Sequence, residues 1–323
     1  MNGVINIYKE KGCSSFHIVY VLRKLSGEQK VGHTGTLDPD VTGVLPVCIG
    51  KATKLVGQLT DTDKTYRCTM LLGRSTDTQD AGGAVLEEMS RRDVEERLGK
   101  ICLSSRRDTF EELITDSILS FVGDIQQIPP MYSALKVGGM KLVNAARKGV
   151  EVERKPRTVT IRSITDISVD MASLTASFTV ECSKGTYIRT LCEDIGKMLS
   201  IPACMLSLER TRAAGMDIST AVTLDQAAEY AAEGTLEAHL TPADRFLEEY
   251  DALTVCEESV RKLIYGNYLF YSDMCRLSAD VMKSAAEGQI FRLYDEKGEF
   301  YALYNYDRKL KCVKCVKMFR DID

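Results

Sequence analysis

The sequence predicts an α+β fold: a mixed, largely antiparallel sheet domain followed by a small β-rich domain. Three observations carry this. Strand-type and helix-type segments follow one another without the βαβ rhythm of a parallel sheet. At 323 residues the chain exceeds the usual size of one hydrophobic core, which favours one large domain and one small one. Near the end, "QIFRLYDEKGEFYALYNY" reads as a hairpin with two alternating, aromatic-rich arms around Glu296–Lys297–Gly298. A break near 240–255, where "AHLTPADRF" leads into an acidic stretch, divides the chain into 1–250 and 251–323.

Taken in order, "MNGVINIYKEKG" is a first strand with a turn after it. Ser14 or Ser15 then caps a helix whose Ile18, Val21, Leu22 and Leu25 recur at helical spacing, ending near Gly27. The next stretch, "VGHTGTLDPDVTGVLPVCIGKATK", joins an elaborate loop to the apolar strand Val44–Ile49. The loop is dense in turn residues: Gly32, Gly35, Asp38, Pro39 and Gly43. Thr65–Leu72 is a strand, and 87–123 is charged with a helical pattern. Thr158–Ile164 and Thr175–Cys182 are strands, the second alternating cleanly. Gly185 breaks that strand, and Thr186 is expected to cap a helix with Ile188, Leu191, Ile195, Met198 and Leu199 on one face. "KLKCVKCVKMF" closes the chain as a strand.

Composition excludes several classes. Apolar content of 44% and charged content of 27% are those of an ordinary globular protein. No run reaches the ~18 apolar residues of a membrane span, and the amino terminus lacks the plan of a signal peptide. The 11 cysteines are odd in number and scattered, several inside apolar patterns, so reduced thiols and a cytoplasmic location are expected. Cys312 and Cys315 form the only CxxC, and with only His17, His33 and His239 the chain lacks the second half of a zinc ribbon. No metal site is expected. Net charge is −4, yet positive charge is gathered in two places. Residues 136–157 hold seven Lys or Arg against Glu151 and Glu153, and 308–320 hold six with no acidic residue. Such segregation is the footprint of a nucleic-acid binder.

Familiar catalytic motifs are missing. "CIGKATK" fails as a phosphate loop because Leu45 and Ala52 stand where Gly and Ser or Thr are required. The chain has no GxSxG and no GxGxxG. What remains is Asp38 in a Gly- and Pro-bounded loop, and an Asp before Pro is by itself usually a turn former.

"GHTGTLDPDVTGVLPVCIGKATK" closely resembles the catalytic motif of the bacterial tRNA pseudouridine-55 synthases. So do "DKTYRCTMLLGRSTDTQDAGG", "QIPPMYSALKVGGMKLVNAARKG" and "SKGTYIRTLCEDIG", in the family's order. The C-terminal region is similar to the family's PUA-like RNA-binding domain. There are two departures. Lys9-Glu10-Lys11-Gly12 lacks the family's proline, and about 88–120 looks like an insertion.

The resemblance implies the pseudouridine synthase fold, a tRNA substrate, and a reaction without cofactor, membrane or obligatory protein partner. It implies Asp38 as the nucleophile, acting at the sugar C1′ or towards a glycal, best served by a buried carboxylate in a low-dielectric pocket. Arg189 would grip that carboxylate with its fork, Tyr187 would act on the C5 proton, and Tyr66 would stack on the target base. Leu208 would line the pocket, His33 would fill the space left by the flipped bases, and Lys136 would contact RNA from a basic thumb at 127–157. The T arm, and through the basic tail the acceptor stem, are the expected contacts. A non-catalytic RNA-binding protein and a guide-RNA-dependent synthase are the alternatives.

Overall fold

The computed structural model of the chain describes residues 1–320 except 134, 138, 139, 143, 144, 146–149 and 151, and only the backbone of 136, 137, 140 and 141. Strands in chain order are β1 Gly3–Lys9, β2 Val31–His33, β3 Thr42–Ile49, β4 Lys64–Leu72, β5 Arg74–Thr76, β6 Val85–Glu88, β7 Gly123–Gln127, β8 Lys136–Val137 and β9 Met140–Lys141. They continue as β10 Arg157–Asp170, β11 Thr175–Cys182, β12 Ala203–Ala213, β13 Met216–Asp217, β14 Asp251–Thr254, β15 Leu269–Phe270, β16 Ile290–Tyr294, β17 Phe300–Asp307 and β18 Cys312–Met318. The helices used below are α1 Ser15–Ser26, α2 Val56–Thr60, α3 Arg91–Ser105, α4 Phe110–Leu119, α5 Ile188–Met198 and α6 Leu224–Ala232.

Among the described residues the main sheet has nine strands in the order β1-β3-β12-β4-β11-β10-β7, with β2 beside β3 and β13 beside β12. Its pairings are antiparallel except β3 with β12, which run parallel through Thr42–Glu209 and Gly43–Arg210. A second sheet, β14-β16-β17-β18-β15, is built from 251–318. The expected fold class is therefore observed.

Each face of the main sheet carries helices because its strands are apolar there. β3 is buried along nearly its whole length, which is why Val44–Ile49 reads as a continuous apolar run and not an alternating one. Leu45, Val47 and Ile49 meet α1 and α6 on one side, while Cys48 joins Ala52, Leu55 and Leu59 on the other. β11 alternates and sends Ala176, Phe178, Val180 and Cys182 into the largest core cluster. Leu303 of the second sheet and Phe319, just past β18, share a buried cluster with Val4, Cys48 and Leu55, so an apolar seam fixes the two sheets together.

Four details differ from expectation. Helical structure in 87–123 begins only at Arg91, because Val85–Glu88 pairs with Arg74–Thr76 as a hairpin. Ser90 then starts α3 with a capping box to Asp93. The apparent insertion is part of the core: Val94, Leu98 and Cys102 of α3 and Leu113, Ile114 and Ile118 of α4 are buried in the main cluster. β10 runs on to Asp170 past irregular pairing near Asp166, whose φ is 52°. Finally, Tyr187 occupies the cap position of α5, not Thr186, whose hydroxyl donates instead to the Ser183 carbonyl at 2.9 Å.

Gly43 shows why the loop before β3 needs glycine. Its φ is +104°, and a Cβ there would lie 2.2 Å from the Arg210 carbonyl oxygen on the parallel neighbour. Gly12 also has a left-handed φ, +80°, but open space around it. Gly43→Ala should therefore lose ~3 kcal/mol or more of stability in urea unfolding, and Gly12→Ala only about 1 kcal/mol.

Candidate active site

The loop between β2 and β3 is held from below by three buried polar side chains. Lys9, at 0% exposure, donates from Nζ to the carbonyls of Glu10 (2.9 Å), Cys13 (2.7 Å) and Pro39 (2.9 Å), which satisfies all three of its hydrogens. Ser15 Oγ accepts from the Leu37 amide at 2.9 Å and lies 3.2 Å from its carbonyl. Arg210, 1% exposed, donates from Nε to the Val44 carbonyl at 2.7 Å and from a terminal nitrogen to the Gly35 carbonyl at 3.1 Å. Backbone oxygens of the loop and its neighbours are thus covered by buried cations, with the Pro39 carbonyl accepting from the Gly12 amide as well, and Asp38 is carried on a fixed loop.

Arg189, in the first turn of α5, faces Asp38. Its guanidinium is 8% exposed and lies 3.0 Å from the Asp38 carboxylate and 3.5 Å from that of Asp80. It also donates to the Thr78 carbonyl at 3.1 Å and the Tyr132 carbonyl at 2.8 Å. Four oxygens thus compensate a buried charge that would otherwise be costly. The 77–83 turn exists in this shape because Asp80 accepts from the Thr78 hydroxyl at 2.8 Å and the Gly82 amide at 3.1 Å. A Cβ on Gly83 would lie 2.2 Å from Thr78 Oγ1, so only glycine closes it. Gln127, 1% exposed, clasps Tyr187 at both backbone groups: its Oε1 accepts from the amide at 3.0 Å and its Nε2 donates to the carbonyl at 3.2 Å.

These elements enclose a cavity of about 200 Å³. Asp38, Tyr66, Tyr187, Arg189 and Leu208 all line it, together with Ser133, Ile188 and Met205. Five of the seven residues singled out in the sequence are therefore brought to one place. Tyr66 on β4 is half-buried, and burial raises its pKa, with Arg210 pulling the other way, so the phenol is protonated at neutral pH.

The remaining two stand differently. His33 does not line the cavity; its Nδ1 accepts from the Gly35 amide at 3.2 Å within the loop. Burial first, and then Arg210, lower its pKa from 6.5, leaving a neutral ring able to accept. The side chain of Lys136 lies outside the described residues, as does much of the basic stretch 136–157.

Two expectations about Asp38 are corrected. Its carboxylate is not buried: the side chain is 48% exposed, and the buried partner is the arginine. Nor does Arg189 grip it with both arms, because the guanidinium is divided between Asp38 and Asp80. Sequence reasoning also missed Lys9, Arg210, Asp80 and Gln127. Asp80 lay inside a recognised motif, whereas nothing local marks Arg210 as more than a strand cation. Among the described residues one cluster of metal-ligating groups occurs, Cys256, Cys275 and Glu296, on other elements than the cavity.

The site is a carboxylate beside a tyrosine-lined cavity on a mixed sheet, and the class of protein that carries it here is that of the pseudouridine synthases, as the family models show. Comparison with known proteins agrees: the model of the TruB family pseudouridylate synthase N-terminal domain matches residues 23–188 and that of the tRNA pseudouridylate synthase B C-terminal domain matches 189–248, and the chain belongs to this family. Among curated proteins it is 39% identical over 309 residues to tRNA pseudouridine synthase B of Clostridium perfringens strain SM101, covering 96% of both chains. It is 44% identical over 272 residues to tRNA pseudouridine synthase B of Bacillus pumilus, covering 83% of this chain and 84% of that protein. Among solved structures, an H/ACA ribonucleoprotein bound to a substrate RNA containing 2′-deoxyuridine aligns with TM-score 0.65 at 22% identity, over 99% of this chain and 86% of that one. A Cbf5-Nop10-Gar1 complex aligns with TM-score 0.65 at 24% identity, over 99% and 85%. These two likenesses concern the fold.

Two outcomes follow from the site's supports. Arg210→Met leaves the Val44 and Gly35 carbonyls without their donor, so unfolding free energy should fall by ~2–4 kcal/mol and turnover should fall with it. For His33 the folded pKa lies below the unfolded 6.5, so the unfolded state takes up the proton first on acidification. Its contribution is complete above 6.5 and is lost as pH falls through that value towards the folded pKa. Urea midpoints of wild type relative to His33→Asn should therefore fall as the pH drops below about 6.5 and stay level above it.

Proposed function

We propose that the chain converts the uridine at position 55 in the T-loop of tRNA to pseudouridine, with Asp38 as nucleophile and no cofactor. The observation that carries this is the Asp38–Arg189 pair at 3.0 Å on the wall of a cavity lined by Tyr66, Tyr187 and Leu208. The exposure of the carboxylate suits the substrate. A uridine swung out of its loop brings its base into the cavity while its ribose stays at the rim, where Asp38 stands. RNA binding then supplies the dry surroundings that the free site lacks.

In this reading Tyr66 stacks on the uracil and Leu208 packs against it. The Asp38 carboxylate either adds to C1′ as the C1′–N1 bond breaks and uracil leaves as an anion, or initiates proton removal to give a glycal. Uracil turns and C5 bonds to C1′, displacing the Asp38 carboxylate in the first route or with return of the C2′ proton in the second; the C5 proton departs towards Tyr187 and N1 is reprotonated, so that product and substrate are isomers. The buried Ser133 hydroxyl, which has no hydrogen-bond partner among the described residues, is available to an edge of the base. His33 is assigned to the space from which the base is drawn. Lys136 and the basic thumb at 127–157 are assigned to the T arm, and the basic strand β18 in the 251–323 domain to the acceptor stem. Both contacts should weaken with salt. With tRNA as substrate, the working location is the cytoplasm.

The test is tritium release from C5-labelled uridine in a tRNA transcript with no other RNA present. Wild type should release it, and Asp38→Asn should lose at least ~10³-fold in rate while tRNA affinity stays within about twofold. Turnover retained in Asp38→Asn would overturn the role of that residue, and a requirement for added guide RNA would overturn the substrate reading. Asp80→Asn, which leaves Arg189 its closer carboxylate, should lose only ~10-fold.

A further inference from the structure

We propose that Cys256, Cys275 and Glu296 form a zinc site in the C-terminal sheet domain. The sulfurs of Cys256 and Cys275 are 3.5 Å apart, and Cys275 Sγ is 3.2 Å from Glu296 Oε1. All three donor atoms lie within 4.8 Å of one another. Tetrahedral zinc, with Zn–S about 2.3 Å and Zn–O about 2.0 Å, separates two thiolates by about 3.8 Å and a thiolate from a carboxylate oxygen by about 3.5 Å. Two of the three donor separations thus stand within a few tenths of an ångström of the edges of such a tetrahedron, the third, Cys256 to Glu296, is within 4.8 Å, and the fourth corner is left to water.

The backbone positions these groups independently of their contact. Val255 and Met274 form an antiparallel bridge, with the Cys256 amide donating to the Asp273 carbonyl and the Cys275 amide to the Thr254 carbonyl, both at 2.9 Å. This sets the two cysteines side by side. Each also begins a helical segment, Glu257–Ser259 and Arg276–Lys283, yet neither side chain caps it. Cap positions usually carry Ser, Thr, Asp or Asn aimed at the helix amides. Here both sulfurs are turned towards each other and towards the hairpin at Glu296.

Such a site has a structural use. β14 and β16 are parallel neighbours, so the chain must cross from one to the other. The crossing is made of short helical pieces and is tied by Asp273, which accepts from Ser259, Lys262 and the Phe270 amide. Zinc would bind both ends of the Cys256–Cys275 segment to the hairpin turn and, on binding, displace the two thiol protons to solvent. The CxxC of β18 offers no comparable site: Cys312 and Cys315 are three residues apart on one strand and so face opposite sides.

The test uses the full chain, purified reduced, with zinc chloride and a competing chromogenic chelator. About one zinc per chain should survive gel filtration. Binding should be lost in Cys256→Ser and in Cys275→Ser, weakened at least ~10-fold in Glu296→Gln, and unchanged in Cys312→Ser. Cobalt added to the wild type should give thiolate-to-metal charge-transfer absorbance, a readout that requires no variant to fold. Zinc held no more tightly by wild type than by the Cys256→Ser/Cys275→Ser double variant would overturn the proposal. So would an absence of the cobalt band, loss of zinc in Cys312→Ser, or a Cys256–Cys275 disulfide that forms in air equally fast with and without added zinc.

Discussion

A buried guanidinium is the constraint on which the site depends. Arg189 sits in the first turn of α5, where the helix dipole disfavours a cation, and it is removed from water. Both effects demand negative charge and carbonyl oxygens around it. The molecule supplies them from three separate stretches of chain: Asp38 in the loop before β3, Thr78 and Asp80 in the turn after β5, and Tyr132. The cation therefore organises the site more than it serves any one carboxylate. Sharing also explains how Asp38 can remain exposed, because Asp80 and two carbonyls keep the arginine compensated while the Asp38 carboxylate faces the solvent side.

The second organising device is the use of buried cations as donors to backbone carbonyls. Among the described residues Lys9 and Arg210 hydrogen-bond no carboxylate; they bond Glu10, Cys13, Pro39, Val44 and Gly35 through main-chain oxygens. Low dielectric strengthens each of these bonds and makes their loss expensive, which stiffens a loop that secondary structure alone would leave free. Gly43 contributes from the other side by letting β3 approach the Arg210 backbone. The missing proline after Lys9 leaves this clasp intact, since the contacts come from the ammonium.

How much was legible depended on the range of the interaction. The helix from Ser15 to Ser26, with its Ser14 cap and Gly27 stop, was readable because capping and periodicity act within a few residues. So were β11 and the 290–307 hairpin. The continuous burial of β3 followed from its composition. Asp38, Tyr66, Tyr187, Arg189 and Leu208 were found through motifs, and each motif is a compact turn or strand. Misplacements arose where a neighbour distant in sequence decided. Gln127 fixes the start of α5 at Tyr187, and Arg74–Thr76 draws Val85–Glu88 into a hairpin.

Taken alone, the sequence determined the α+β class, the two sheets, the capped helices and the residue types of the active loop. These are written in periods of two or 3.6 and in local turn chemistry. Only the tertiary structure decided which charges meet: that Arg189 is shared by two carboxylates, that Arg210 supports a loop about 170 positions earlier in the chain, and that two cysteines and a glutamate converge while the adjacent CxxC does not. The physical reason is that a charge inside a protein is stabilised by whatever lies within a few ångströms of it, and sheet pairing brings distant residues that close without leaving a local pattern.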